Sequence, residues 1–377
     1  MELLIAKEDL QYAIAAVERA VGNKNTLPVL GGVLITAAGG QACFRATDLE
    51  LAMECTVNAE VREEGEAVIP GRRFAAIVRL LPGGSITISG GEDQVILRYR
   101  GGEQRLPCFD ASEFPMLPSR QGELEGSIAA RLFRRLVRQV GIAAASDEVR
   151  PVFTGVMTEL TPERLSMVAT DTHRLARGSG SWQGSGSGSL LIPNRTLQEV
   201  ARLAVNDEDD ILFSAGRNQV YFRFANLTVT SRLIMGQYPD YHAVIPDESA
   251  WCSELCAPRL PMIEALERAA LLVRDGGRLR GNIVRLELSA DGLRLAAEAP
   301  ELGNLYEELE GTVSGEPLQI SYNVRYLLDA LKALEGERVR MRLSGETTPG
   351  LVLPDTETEA GAETDFLYLL LPVRINR

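Results

Sequence analysis

The chain has 377 residues, a net charge of −13, 45% hydrophobic and 24% charged residues, the balance of a globular protein long enough for two or three domains. No apolar run reaches the roughly 18 residues that span a bilayer, and MELLIAKEDLQYAIAAVERA places acids in an amphipathic pattern where a secretory leader would not, so a cytoplasmic protein without membrane contact is expected. Five scattered cysteines (Cys43, Cys55, Cys108, Cys252, Cys256) lack paired CxxC spacing, which argues against a disulfide framework or zinc site; no metal and no cofactor are expected.

In chain order, Lys7 to Val21 carries Leu10, Ile14, Val17 and Val21, the spacing of an amphipathic helix. VLITA and QACFRA then read as strands around a Gly39-Gly40 turn. IPGRRFAAIVRLLPGGSITIS, from Ile69, reads as strand end, helix, turn, strand, with Phe74, Ile77, Val78 and Leu81 on the helix's apolar face. QVILRYR comes next. The polar, Pro-rich FPMLPSRQGELEG (114–126) closes this first unit.

The order then repeats. Ile128 to Val140 is a second opening helix, QVYFRF and LTVTS are strands, and IPNRTLQEVARLAVNDEDDILFS begins at Ile192. YPDYHAVIPDESA (238–250) closes this unit; Pro258 to Val273 opens the third, and ISYNVRYLLDALKALEGERVRMRLS begins at Ile320. The three copies start at Ile69, Ile192 and Ile320, 123 and then 128 residues apart. That period is the size of a domain, well beyond a solenoid repeat of about 20 to 50 residues. Asp48 in FRATDLELA and Asp171 in VATDTHRLA keep the 123-residue step, with a fainter echo at Asp291 in LSADGLRLAAEA. Three tandem α+β domains are expected at 1–122, 123–246 and 247–377, each with two helices on antiparallel strands. The low-complexity GSGSWQGSGSGS (178–189) reads as an exposed flexible loop, and PDTETEAGAET (354–364) as an acidic connection.

Charge is unevenly placed. Arg131, Arg134, Arg135 and Arg138 follow an i, i+3, i+4, i+7 pattern opposite the apolar face of their helix. Thinner basic faces come from Arg72, Arg73 and Arg79, from Arg195 and Arg202, from Arg259 and Arg268, and from Arg325 and Lys332. Acids gather in loops and strands. Basic helix faces in an acidic protein suit sequence-independent contact with phosphate backbones. Asp171, His173 and Arg174 invite an enzymatic reading as base, orienting acid and anion clamp. The equivalent ATDLELA lacks the histidine and arginine, and no GxSxG, HExxH or phosphate loop accompanies them. A turn or cap role for the shared Asp explains more, and no catalytic residue is expected.

NTLPVLGGVLI with ATDLELA, VATDTHRLA with IPNRTLQEV and QYPDYHAVIP, and SYNVRYLLDAL with the terminal LLLPVRI, in this order and at these spacings, resemble the bacterial sliding clamp family, the β subunit of DNA polymerase III, over essentially the whole chain. The resemblance implies a head-to-tail homodimeric ring of clamp domains with helices lining a hole for duplex DNA. It implies a peptide pocket for the replicative polymerase, the clamp loader and repair proteins at Phe153, Thr170, Thr172, His173, Arg174, Leu175, Pro239, Ala243, Val244, Asn323, Tyr326, Leu371, Pro372, Val373 and Arg374. Thr172 and Ala243 depart from the glycine and arginine frequent in the family, and Asn376 and Arg377 extend past the usual end. Lys24 matches a channel-facing basic position; Arg73, Arg79, Arg131, Arg134, Arg135, Arg138, Arg195, Arg202, Arg268, Arg325 and Lys332 are the other expected DNA-facing residues. The implied ring contact joins Arg98, Arg100, Arg105 and Leu106 of one chain to Leu271, Leu272, Glu298, Glu301, Glu307, Glu308 and Glu310 of another. Against this stand an enzyme at His173 and a monomeric peptide-binding scaffold that never encircles DNA.

Overall fold

A computed structural model describes the chain except residues 23–26, 92, 118–121, 148, 273–281, 300–301, 356–364 and 375–377. Among the described residues one element order occurs three times: strand, helix, five strands, helix, three strands. The first copy comprises β1 (Glu2–Ala6), α1 (Lys7–Val17), β2 (Gly32–Ala38), β3 (Gln41–Thr47), β4 (Leu51–Asn58), β5 (Glu60–Glu63), β6 (Gly65–Pro70), α2 (Gly71–Leu80), β7 (Ser85–Gly90), β8 (Gln94–Tyr99) and β9 (Gly102–Pro107). The second comprises β10 (Leu124–Ala129), α3 (Ala130–Val140), β11 (Gly155–Leu160), β12 (Leu165–Thr170), β13 (Arg174–Gly180), β14 (Gln183–Ser185), β15 (Gly188–Pro193), α4 (Asn194–Leu203), β16 (Asp210–Ala215), β17 (Gln219–Phe224) and β18 (Leu227–Arg232). The third comprises β19 (Ser253–Pro258), α5 (Arg259–Leu272), β20 (Ile283–Ser289), β21 (Gly292–Ala299), β22 (Gly303–Leu309), β23 (Thr312–Gly315), β24 (Leu318–Asn323), α6 (Val324–Ala333), β25 (Arg338–Leu343), β26 (Gly350–Pro354) and β27 (Asp365–Leu370).

The three copies fold into two compact units. Residues 1–131, 183–186 and 195–233 form one, and residues 132–182, 187–194 and 234–377 the other. The reason lies in the sheets. In the first unit a nine-stranded sheet, β14-β10-β16-β17-β18-β4-β3-β2-β6, carries the ladder across a copy boundary by pairing β18 with β4. In the second unit β15-β11-β12-β13-β27-β26-β25-β19-β23 does the same by pairing β13 with β27, from Arg174 opposite Leu370 to Ser179 opposite Asp365. Each unit also has a smaller sheet, β5-β1-β7-β8-β9 in the first and β22-β21-β20-β24 in the second.

Helices cover the sheets through the faces that the periodicity marks. α1 buries Leu10, Ala13, Ile14 and Val17, α2 buries Phe74, Ala75 and Val78, and the two pack together and onto neighbouring strands of the first unit. α5 and α6 pair likewise in the second unit through residues such as Met262, Leu266, Leu327 and Leu331. Burying each of the larger of these side chains contributes roughly 1.5–3 kcal/mol. The opening helices are shorter than the apolar pattern suggests: Val21 lies beyond α1, and Ile128 belongs to β10.

Two expectations are corrected. Residues 178–189 are no loop: they contribute to β13, β14 and β15. Their glycines answer a packing need, because a Cβ at Gly180 would come within 2.8 Å of the Leu132 side chain, and one at Gly178 within 3.0 Å of Leu136. Bare backbone on β13 lets α3 lie close against it. The Asp291 echo also belongs elsewhere. It sits at the β20–β21 hairpin, the counterpart of Gly39-Gly40 between β2 and β3, one hairpin before the place that Asp48 occupies. The acidic connection falls largely on 356–364, outside the described residues.

Candidate peptide-binding cleft and nucleic-acid surface

The Asp48 and Asp171 segments are one turn made twice. Between β3 and β4, Asp48 Oδ1 accepts from the backbone N–H groups of Glu50 (3.1 Å) and Leu51 (2.8 Å), while Thr47 Oγ1 accepts from Leu49 N (3.0 Å) and donates to Leu51 O (3.0 Å). Between β12 and β13, Asp171 Oδ1 accepts from His173 N (2.9 Å) and Arg174 N (3.1 Å), and Thr170 Oγ1 pairs with Thr172 N (3.1 Å) and Arg174 O (2.7 Å). The third turn residue is left-handed in both, Leu49 at φ 76° and Thr172 at φ 77°. That conformation costs an L-residue with a Cβ about 1–2 kcal/mol, and the doubly capped turn holds it.

Beyond the turn the two copies diverge. Arg174 is largely buried and donates from Nε to Asp171 Oδ2 (2.9 Å) and from Nη1 to Asp329 Oδ2 (2.6 Å) and the Tyr368 hydroxyl (3.3 Å), with its guanidinium 4.2 Å from the centre of the Tyr326 ring. Burial works against its charge, but Tyr368, Asp329 and Asp171 outweigh that and raise its pKa above the ordinary value. One side chain thus fastens a turn of the second copy to α6 and β27 of the third. The His173 ring lies 6.3 Å from that of Tyr326 with 26° between their planes. Asn323 is a helix cap, its side-chain oxygen accepting from Arg325 N and Tyr326 N. The segment after β27 is pinned against these residues by backbone bonds from Leu371 N to His173 O (3.0 Å) and from Val373 N to Ser321 O (2.7 Å).

Beneath lies an apolar cluster of Val168, Leu175, Leu191, Tyr238, Tyr241, Leu351, Leu367 and Leu369. Phe153 meets Tyr238 edge to face at 6.3 Å. Tyr241 donates to Glu159 (2.6 Å), which anchors the short turn carrying exposed Ala243 and Val244. The second unit therefore brings Phe153, Thr170, Thr172, His173, Arg174, Leu175, Asn323, Tyr326, Leu371, Pro372 and Val373 to one end of its large sheet. Pro239, Ala243 and Val244 stand exposed on the adjoining segment, and Arg374 is exposed just after Val373. Sequence reasoning missed Asp329 and Tyr368, which hold Arg174; Asp329 follows Tyr326 by three residues, so helical spacing points to it, whereas nothing local singles out Tyr368.

The basic helices are partly answered from within. α2 and α3 carry three and four arginines and no acid. Arg79 nevertheless pairs with Glu18, and Glu335 takes both Arg135 and Arg138. Arg195 meets Asp48 (2.7 Å), Arg202 meets Glu199 (2.7 Å), Arg268 is held at both ends by Glu307 (2.7 and 2.6 Å) and Lys332 meets Glu267 (2.6 Å). Arg73, Arg131 and Arg325 are exposed, whereas Arg134 and Arg135 are half covered. Lys24 and Glu301 lie outside the described residues, as do Asn376 and Arg377.

Among the border strands of the four sheets, two carry opposite charge. β9 borders the small sheet of the first unit and β22 that of the second. Along the first, Arg98 and Arg105 both reach Glu103 (3.0 Å each), and Arg100 is exposed. Leu106 is 3% exposed within the single chain, since alternate residues of a strand face opposite ways, and it packs toward the core while Arg105 faces out. Along the second, Glu307 meets Arg268, Glu308 meets Arg294 (2.9 Å), and Glu298 accepts from Tyr306 (2.9 Å). Leu271, Leu302 and Tyr306 are exposed apolar surface, with Leu272 half-buried.

Comparison with known proteins is consistent along the whole chain. Residues 1–118, 127–240 and 242–373 match the N-terminal, central and C-terminal domains of the DNA polymerase III beta subunit. A beta sliding clamp of Staphylococcus aureus is 29% identical, with 99% of each chain covered. The DNA polymerase sliding clamp of Bacillus subtilis superposes with a TM-score of 0.92 at 29% identity, and a sliding clamp of Pseudomonas aeruginosa bound to griselimycin with 0.90 at 30%, all of both chains being covered in each case. Among the described residues no helix is long and apolar enough to cross a membrane. On this full-length match the chain belongs to the DNA polymerase III beta subunit family, the non-catalytic bacterial sliding clamps.

Proposed function

We propose that the protein closes as a homodimeric ring around duplex DNA and tethers the replicative polymerase, the clamp loader and repair proteins by short hydrophobic peptides. The observation that carries this reading is the segregation of charge: α2 and α3 hold arginines and no acid in a chain of net charge −13. Such faces attract phosphates without reading bases. Topological linkage then keeps the polymerase at a high effective concentration near the primer end, so modest peptide contacts suffice.

Ring closure would use the open edges of β9 and β22, whose unpaired N–H and C=O groups are templates for a strand of another chain. Arg98, Arg100 and Arg105 on one edge and Glu298, Glu307 and Glu308 on the other would steer the approach. Exposed ion pairs contribute only about 0–1 kcal/mol each, so Leu271, Leu302 and Tyr306 would supply most of the stability. For peptides, Leu175 and its neighbours offer an apolar floor, His173 and Tyr326 a stacked wall, and the 371–373 segment a rim. The domain limits 1–122, 123–246 and 247–377 and a cytoplasmic location belong to the same proposal.

Primer extension on a long circular template, with the cognate polymerase and loader, tests the reading. Products should lengthen severalfold when the protein is added, and unchanged product length would refute it. Sedimentation velocity separates the ring from a monomeric scaffold, since a species that stays monomeric at micromolar concentration cannot be a stable clamp.

A further inference from the structure

We infer that Glu335 is a built-in competitor of DNA phosphate on the most basic helix, setting how weakly the protein holds the duplex; this rests on the DNA-facing reading of α3. Glu335 lies in the turn from α6 to β25, where Gly336, at φ 89°, reverses the chain. Its Oε2 is 3.3 Å from Arg135 Nε, and its Oε1 accepts from Arg138 Nη2. One carboxylate 197 residues away in sequence thus occupies two of the four arginines of α3. The position is particular to this copy. The residues at the corresponding place after α2 and α4 are Pro82 and Val205, neither of which is an acid, and the acids of the second turn, Asp207 to Asp209, come further on.

The pairing has a consequence for binding. A basic side chain that meets a phosphate normally displaces condensed counterions, and each such contact steepens the dependence of log affinity on log salt by about 0.9. If a protein carboxylate already holds the arginine, the phosphate must first displace it, and the contact yields little net gain. Arg138 is 58% exposed and Glu335 46% exposed, so water reaches this pair and the exchange is easy there, whereas Arg135, 14% exposed, mainly helps to hold the carboxylate in place. The helix keeps enough positive charge to guide the duplex while its individual contacts stay shallow, which suits sliding. Glu18, paired with Arg79, stands in the same relation to α2 in the first unit.

The test is equilibrium binding of the full-length protein to a short blunt-ended duplex, read by fluorescence anisotropy across a salt series. Glu335→Gln, which keeps the shape and removes the charge, should bind about threefold to tenfold more tightly at low salt, with a salt slope steeper by about 1. Its sedimentation and melting temperature should match the unmodified protein. A Gln variant that melts lower and keeps the original slope would make Glu335 a structural pair only, and would overturn the inference. Arg131→Glu, measured alongside, should weaken binding and flatten the slope. If it does so while Glu335→Gln changes nothing, the competitor role alone fails; if Arg131→Glu changes nothing, the DNA-facing reading of α3 fails and the inference with it.

Discussion

The turn Thr47–Leu51 in the first unit and the turn Thr170–Arg174 in the second share hydrogen bonds, left-handed residue and place in the fold, yet they join their surroundings by opposite arrangements of charge. In the second unit the arginine is on the turn and the acid on the helix, Arg174 reaching Asp329 of α6. In the first the acid is on the turn and the arginine on the helix, Arg195 of α4 reaching Asp48. Leu51, in Arg174's place, is simply core at 2% exposed. The Thr47–Leu51 turn borders a cleft of about 120 Å³ lined by Leu49, Glu50, Met116 and Arg232 among others, without the histidine and tyrosine wall of its counterpart. The shared geometry of the turn is thus scaffold, and the residues just after it decide what the cleft can hold.

The largest expected effect separates the two arginines. Arg174→Ala leaves Asp171, Asp329 and the Tyr368 hydroxyl without their buried partner, and should cost about 3–5 kcal/mol, seen as a large drop in the melting temperature together with loss of peptide binding. Asp48→Ala and Asp171→Ala each strand two turn N–H groups and should cost about 1–2 kcal/mol. Asp171 should be the more costly, since its ion pair with Arg174 is the more buried; equal losses in urea unfolding would weaken the comparison. Arg195→Ala should cost about 1 kcal/mol or less, because its side chain is 56% exposed. Thr172→Gly should be the smallest change: relief of the left-handed strain exceeds the added chain entropy by about 0.5–1 kcal/mol, a slight rise in melting temperature. A fall there would mean that the Thr172 side chain makes contacts worth more than the strain.

The repeat, the α+β class and the two helices of each copy were legible because apolar spacing and copy-to-copy identity are local in sequence. The role of the shared Asp was legible for the same reason, since its partners lie two and three residues on. The features that were not legible depend on distant neighbours. The glycines of 178–180 look like part of an exposed flexible loop until Leu132 and Leu136 of α3 are seen against them; Gly180→Val should cost about 1–3 kcal/mol by overpacking. The arginine stripe looks unopposed until Glu335 arrives from the far end of the chain. Leu106 could be separated from Arg105 only by knowing which face of β9 meets the core. Tyr368 joins Arg174 through folding alone, whereas Asp329 stands one helical turn from Tyr326.

Titration calorimetry with a short hydrophobic clamp-binding peptide of the cognate polymerase tests most directly the claim that specialisation after one turn made one cleft a docking site. One peptide should bind per chain, with binding lost on Tyr326→Ala or Leu371→Ala and kept on Leu49→Ala or Met116→Ala. Two sites per chain, or binding that survives the first pair of substitutions and fails with the second, would contradict it.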